Sequence, residues 1–588
     1  MFQGPRDLLI CSAMFLSLAA CSTLPQSPRH TTDLKASAEA IARELAQIRG
    51  LDLKAAVPVG IKDKSGLRSA YQQAIERDWT DHDDGTERAY KLFGLVPDEM
   101  DLKSYLLELY SLQVAGYYDP RKEEFFVVEA SAPGEEQPEV VRSFILAHEL
   151  VHALQDQHFD LERIQDRLKR HNDRALASLA VIEGDGMLAA CDHLLWRRAG
   201  WPLSLASPSG RSMVALLTGL GETLGVGGDT PEAKQLRDAP AVIRSELLFA
   251  YLQGMAFVAG VRAEFGWEGV DALFRDPPDS TEQILHPERY TDCRDRPATL
   301  RLPEPLFGWK AVFSETLGML DLRVLLRERL GGRAERAAQG WEGDRYVVWK
   351  TPNGVALGWL TLWEHPYQAR RFARTYRRAL ERKLPHGPPF AIVRRGPLVA
   401  AVEGGSATQA QAAASLLLES RVERPADDCR PESLLARASL WPLSLRRLDR
   451  VFEVKLLGGH LFRLRAHAGG HQLSLLHGWL GRSERSPDRR RFSLAAGLLW
   501  TAGDRNHAYH AGGLTPLTDF HTREVGSERQ ADFGLARLPF LGPLLSLERG
   551  AGMTRASLLR GLVLRIQWGR WLRSGQRVRV LMIPIPGL

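Results

Sequence analysis

The sequence predicts a multidomain α+β protein with a mainly helical N-terminal domain, a small ββαββα domain and a C-terminal region of repeated β-hairpins. Three observations predict it. The chain has 588 residues, well beyond the size at which a single hydrophobic core stops growing. Its apolar spacing is three-and-four over the first half, and the last part is rich in Gly, Arg and His with short strand-like runs. The last part also repeats itself.

The first element is a targeting segment, residues 1–20. Arg6 precedes an apolar run from Leu8 to Ala20, too short to anchor a chain in a membrane. It ends in Leu18-Ala19-Ala20-Cys21, which resembles the lipobox of bacterial lipoproteins. That resemblance implies cleavage before Cys21, acylation of Cys21 and a membrane-attached mature chain; several acyl chains hold a protein firmly on a bilayer. Ser22 after the cysteine implies sorting to the outer membrane, facing the periplasm. Residues 21–33, rich in Ser, Thr and Pro, read as a tether.

Residues 34–328 read as the helical domain, with apolar positions such as Leu102, Leu106, Leu107 and Tyr110 on one face. A hairpin interrupts it: Gly116-Tyr117-Tyr118-Asp119-Pro120, a charged turn, then Glu124 to Val128. Residues 336–419 read as ββαββα. Strands at Tyr346–Trp349 and Ala356–Leu360 flank Pro352-Asn353-Gly354; a helix runs from Pro366 to Lys383; strands at Phe390–Val393 and Leu398–Val402 precede a helix from Ala407 to Leu418. Residues 440–588 read as stacked hairpins. Gly459–Leu464 corresponds to Gly542–Leu547, and Ser474–Gly478 to Ser557–Gly561 at the same spacing; Ser493–Gly497 is a partial third copy.

Composition excludes several classes. A hydrophobic fraction of 44% with 25% charged residues is that of a folded soluble protein. A net charge of +6 is small for this length, and no nucleic-acid-binding motif is present. Once Cys11 and Cys21 are set aside, Cys191, Cys293 and Cys429 remain. An odd number is not a disulfide framework, although Cys293 and Cys429 could form one bridge.

The chemistry is concentrated in Val141–Asp156, VRSFILAHELVHALQD. His148 and His152 are four residues apart, which on an α-helix places both imidazoles on one face, one turn apart. Two such nitrogens can share one zinc ion. Glu149 stands beside the metal position rather than in it, where a carboxylate can take a proton from activated water. The strongly apolar surroundings require these polar groups to have partners.

A catalytic zinc needs a third protein ligand and an open position. Glu183, in Ala180-Val181-Ile182-Glu183-Gly184-Asp185-Gly186-Met187, sits in an apolar helical stripe, where an unpaired carboxylate is costly. His158 is the alternative, at the spacing of the HExxHxxGxxH pattern, but Gln155 occupies the glycine position that lets that helix turn back. Glu183 is favoured. Asp185 is a candidate for orienting a histidine through its far ring nitrogen, or a solvated residue.

AHELVHALQDQHFDL, with EGD about thirty residues on, resembles the glutamate-zincin (gluzincin) metallopeptidases, and in particular a group of bacterial HExxH envelope proteins. The likeness takes in GYYDP, LLFAYLQGMAFV and DPPDSTEQILHPERY and spans roughly Lys35–Tyr290, about half of the chain. It implies a zincin-like fold, His148, His152 and Glu183 as Zn2+ ligands, Glu149 as general base, and a protein or peptide substrate.

Tyr251 and His286 are candidate donors to the oxyanion of a tetrahedral intermediate. The Gly116–Val128 hairpin is a candidate edge for an extended peptide. His460, His467, His471 and His477 could form a second metal site, and Arg489-Arg490-Arg491 could meet lipid head groups, but scattered surface residues explain both. Two other functions fit the same residues: a metal-stabilised scaffold or binding lipoprotein, and a zinc amidase acting on the cell wall.

Overall fold

The computed structural model describes residues 31–113, 116–128, 139–168, 170–199, 231–291, 294–305, 307–384 and 387–425, and beyond them mainly the strands of the C-terminal region. The targeting segment, Cys21, most of the tether, Cys293 and Cys429 lie outside the described residues. The architecture is α+β, with helices and several separate sheets. It divides into two compact units, one ending at Asp428 and one formed mainly by Cys429–Leu588.

The first unit begins with a helix over Thr31–Arg49, so the last residues of the expected tether are already helical. Local chemistry sets several helix starts. Asp63 accepts the amide of Gly66 at 2.7 Å ahead of the Lys64–Asp78 helix, and Thr80 and Asp83 form a reciprocal capping box ahead of Asp81–Phe93. The motif helix, Glu139–Phe159, runs on through Gln155 without a break. The long helix, Asn172–Ala199, packs against it and against Gly254–Arg275. That last crossing requires glycine on both sides. A Cβ on Gly184 would lie 2.2 Å from the Gly254 carbonyl carbon, and one on Gly254 would lie 2.1 Å from the Ala180 oxygen. Ala241–Ala263 is apolar and long enough to cross a membrane, but most of its apolar stretch is buried inside the protein, as in a core helix.

Three short strands lie among these helices. β2 (Gly116–Asp119) and β3 (Glu124–Val128) form the expected antiparallel hairpin. β1 (Val59–Lys62) pairs in parallel with the far side of β3, leaving β2 as an edge. Sequence patterning does not reveal β1, a four-residue strand whose burial does not alternate.

A five-stranded antiparallel sheet follows, in the order β5-β6-β7-β9-β8. These strands are β5 (Lys310–Glu315), β6 (Trp341–Thr351), β7 (Gly354–Trp363), β8 (Phe390–Arg395) and β9 (Leu398–Glu403). Helices Pro366–Lys383 and Ala407–Leu417 complete a ββαββα order from β6 onwards. Trp349, Leu360, Leu362, Val402 and Leu417 form its core. The strand β5 falls within the stretch expected to be helical, and the described parts of 34–328 and 336–419 share one compact unit. Two short strands, β4 (Thr299–Arg301) and β10 (Arg421–Glu423), pair separately.

The second unit is one sheet of fifteen strands, β11 (Leu434–Leu440) to β25 (Val578–Met582), each paired with the next in sequence. The sequence repeat survives as register. Arg463 pairs with Ser474 and Leu464 with Leu473; at the corresponding positions Ser546 pairs with Ser557 and Leu547 with Ala556.

Candidate metal centre

The motif helix and the long helix meet where their polar residues face each other. His148 Nε2 lies 3.1 Å from Glu183 Oε2 and 2.9 Å from His152 Nε2, and His152 Nε2 lies 3.5 Å from Glu183 Oε2. One ligand atom from each residue falls within 4.8 Å of the others, a spacing that fits one ion bound by all three. All three residues are buried. Gly186, one turn after Glu183, makes room: a Cβ there would stand 2.9 Å from His148 Cε1 and 3.2 Å from His152 Cε1. His158 is elsewhere, with its Nε2 2.7 Å from the backbone oxygen of Asp52.

Charge explains the closeness of the three groups. Burial pushes the Glu183 carboxyl up, but His152 and His148 outweigh it and bring it down to about 2. Burial works against protonation of His152, yet Glu183 holds it up to about 9. Burial, with the neighbouring His152 charge, pushes His148 down. His148 Nδ1 has no hydrogen-bond partner.

Glu149 joins the motif helix to the edge strand. Its Oε2 accepts the backbone N–H of Tyr118 in the edge strand β2 at 2.9 Å, while its Oε1 is buried without a partner. Burial pushes its carboxyl up to about 8. The Tyr118 hydroxyl donates to Asp156 Oδ2 at 3.0 Å, so one residue ties the strand to the motif helix twice.

Behind the histidines runs a buried polar chain that sequence reasoning missed. Gln155 Oε1 lies 2.8 Å from His152 Nδ1. Gln155 Nε2 donates to Asp185 Oδ2 at 2.9 Å and to the Ile182 oxygen at 3.0 Å. Asp185 accepts from Arg49 Nε at 2.9 and 3.1 Å, and Arg49 Nη1 lies 2.7 Å from Asp271 Oδ1. Asp185 is thus neither solvated nor bonded directly to a histidine; Gln155 stands between. Both amide atoms of Gln155 are committed, which fixes Nδ1 of His152 as the protonated nitrogen and leaves Nε2 for a metal. A polar residue one turn after His152 in an apolar helix was the available signal. Arg49, at the end of an ordinary helix, offered none.

Of the two oxyanion candidates, Tyr251 is near. It lies in a π-helical turn, Phe249–Gln253, with its ring 6.0 Å from that of His148, and such turns are frequent at functional sites. Tyr251 and Glu183 line one small cleft with Tyr110, Leu176 and Glu246. His286 is not brought into the group. It caps the Thr281–Leu285 helix, and the charged groups acting on it are Glu288, Arg289, Arg323 and Glu364.

A larger polar cleft of about 430 Å³, lined by His171, Asp173, Arg174, Asp279, Glu315 and Arg345 among others, is separate from these residues. Asp279 there is already matched by Arg174 at 2.7 Å and Arg294 at 2.7 Å. In the C-terminal sheet, His467 pairs with Gly470, so His471 falls on the opposite face. His460 and His477 lie outside the described residues. Cys191 is buried and free.

Residues 304–414 match a domain family described as a domain of unknown function (DUF8575). The match covers the five-stranded sheet and none of the residues of the metal group. No curated protein and no solved structure matches the chain.

Proposed function

We propose that the protein is a zinc-dependent metallopeptidase of the gluzincin type, with a zincin-like domain over residues 34–328 and the small α/β and β-repeat regions appended. The observation that carries this reading is the convergence of His148, His152 and Glu183 ligand atoms within 4.8 Å beside a carboxylate, Glu149, with one unbonded oxygen. Two imidazoles, with an ion taking the place of the proton that Glu183 holds on His152, and a carboxylate are a fitting donor set for zinc, and the apolar helices around them would not otherwise favour these groups.

A zinc ion held there would polarise the scissile carbonyl and lower the pKa of a bound water. Glu149 Oε1 would take the proton of the attacking water and return it to the leaving amine. Oε1, buried without a hydrogen-bond partner, is the oxygen open to both roles. The edge position of β2 supports binding of an extended peptide beside Glu149, which already holds the Tyr118 N–H. Tyr251 is placed to donate to the oxyanion; His286 is a weaker candidate because nothing connects it to the group. Acylation at Cys21 would hold the enzyme on the bacterial envelope, at the outer membrane facing the periplasm.

The test is zinc content and peptide hydrolysis of the parent, His148→Ala, Glu183→Ala, His158→Ala and Glu149→Gln. About one zinc per chain is expected in the parent, lost in the first two variants and kept in the other two. Glu149→Gln should keep zinc and lose at least about a hundredfold in turnover. A folded parent that takes up no zinc removes the metal centre. Unchanged turnover in Glu149→Gln removes the peptidase mechanism and leaves a metal-stabilised scaffold.

A further inference from the structure

The polar cleft of about 430 Å³ lies within the first unit, where the long helix, residues 276–300 and the five-stranded sheet meet. Its size is that of a small-molecule site. Its charges are sorted by depth. Asp173 is 5% exposed, and Asp344 and Glu315 are buried as well. The side chains of Arg174, Arg296 and Arg345 are 47%, 39% and 31% exposed. Carboxyl groups therefore line the floor and guanidinium groups the mouth.

Asp173 sits in the first turn of the long helix. Thr281 donates its backbone N–H at 3.2 Å and its hydroxyl at 2.6 Å to Asp173 Oδ1. Gly318, at φ 82°, permits this close approach, because a Cβ there would stand 2.1 Å from the same oxygen. Asp344, on β6, accepts the backbone N–H groups of Leu317 and Gly318 and the indole N–H groups of Trp341 and Trp359, all at 2.9–3.1 Å. Four donors satisfy it without supplying a charge. Glu315 is answered by Arg345 at 3.4 Å and His82 at 3.6 Å. Asp173 is less complete. Its Oδ2 accepts no hydrogen bond, and no described cation lies within ion-pair distance of either oxygen. Burial pushes its carboxyl up to about 7 against the Thr281 bonds, and Asp344 and Glu315 add to the push. A buried carboxylate in such a place is costly until a cation joins it.

The mouth has the opposite imbalance. Asp279, two residues before Thr281, is shared by Arg174 at 2.7 Å, Arg294 at 2.7 Å and Arg296 at 3.3 Å. Arg294 also pairs with Asp276. Three guanidinium groups thus meet two carboxylates, which leaves one positive charge in excess. Arg174 and Arg296 make no described ion pair or hydrogen bond beyond Asp279 and keep their remaining N–H donors. A guanidinium with spare donors is well shaped for a carboxylate. One kind of ligand answers both imbalances, because it carries an ammonium and a carboxylate together. We propose that this cleft binds a free α-amino acid or dipeptide, its ammonium at Asp173 Oδ2 and its carboxylate at Arg174 and Arg296. The cleft shares no residue with the metal group, so the proposal does not rest on the peptidase reading.

The test is isothermal titration of the full chain, in chelator, with alanine and alanylalanine and with the N-acetyl and C-terminal amide forms of each. At least one of the two free compounds should bind. Acetylation removes its ammonium and amidation its carboxylate, and each should weaken binding about tenfold or more. Asp173→Asn keeps an oxygen for Thr281 and removes the charge. It should bind the free compound about tenfold or more weakly and no longer distinguish it from the acetylated form. Arg174→Gln with Arg296→Gln leaves Arg294 on Asp279 and should erase the distinction from the amide. Denaturant unfolding checks that these variants are folded. Glu183→Ala should bind as the parent does. The proposal is overturned if neither free compound binds, if the blocked forms bind as well as the free ones, or if folded Asp173→Asn binds like the parent. Loss of binding in Glu183→Ala would move the ligand to the metal group and overturn it as well.

Discussion

Replacing Gln155 by Leu should loosen the proposed metal centre without removing any of its candidate ligands. The side chain makes three buried hydrogen bonds, at 2.8 Å to His152 Nδ1, 2.9 Å to Asp185 and 3.0 Å to the Ile182 oxygen. Leucine has nearly the same volume, so the cavity contribution is small. The loss is in polar satisfaction. His152 Nδ1–H loses its acceptor, while Asp185 keeps Arg49. Unmade buried hydrogen bonds cost about 1–3 kcal/mol each, so the metal-free protein should lose roughly 2–4 kcal/mol of stability. Zinc affinity should fall about 10–100-fold, the range seen when a group orienting a ligand histidine is removed. Competition against a chromophoric zinc chelator measures the affinity, and denaturant unfolding in chelator measures the stability. Asp185→Asn acts on His152 through the same amide, so the double variant should lose less affinity than the two single losses added together. Zinc affinity within twofold of the parent, or full additivity, would refute the chain from Asp185 through Gln155 to His152.

Gly186→Ala sets two effects of opposite sign against each other. Alanine in a helix interior gains up to about 1 kcal/mol over glycine, but the new Cβ would press on both imidazoles at 2.9–3.2 Å. Unfolding without metal should be little changed, whereas isothermal titration should show zinc binding weakened by about tenfold or more; unimpaired binding would mean that the imidazoles have room to shift. Asp173 provides a pH test away from the metal. Burial pushes its carboxyl up to about 7, against hydrogen bonds from Thr281. Between about pH 4 and pH 7 the folded state then binds more protons than the unfolded state, so Asp173 lowers stability as pH rises, by up to about 4 kcal/mol. Asp173→Asn should flatten this part of the stability profile, as measured by unfolding at pH 5 and pH 8, and an unchanged slope would count against the buried carboxyl as its source.

Much of the metal group was legible in the sequence because it depends on one helix. Spacing alone puts His148 and His152 on one face, and the apolar stripe around Glu183 marks a carboxylate that needs a partner. The choice of Glu183 over His158 rested on Gln155, read as an obstacle to a turn. The structure gives Gln155 a positive role that the spacing did not suggest. His286 shows the limit of such reading: a polar loop near the end of the matching stretch looks functional, but its neighbours are a separate set of charges.

The sequence by itself determined the motif helix, the Gly116–Val128 hairpin, the ββαββα order after residue 336, the hairpin repeat and the pair of histidines. All of these follow from local rules: the helical and strand periods, capping residues and turn residues. Only the tertiary structure decided which distant residues meet. Arg49 reaches Asp185 across 136 positions and Tyr118 reaches Glu149 across 31. It also placed β1 beside β3 and set the register of the fifteen-stranded sheet. A local period constrains a residue only relative to its own helix or strand. Long-range pairing is selected by the burial and mutual satisfaction of groups whose partners no spacing rule specifies.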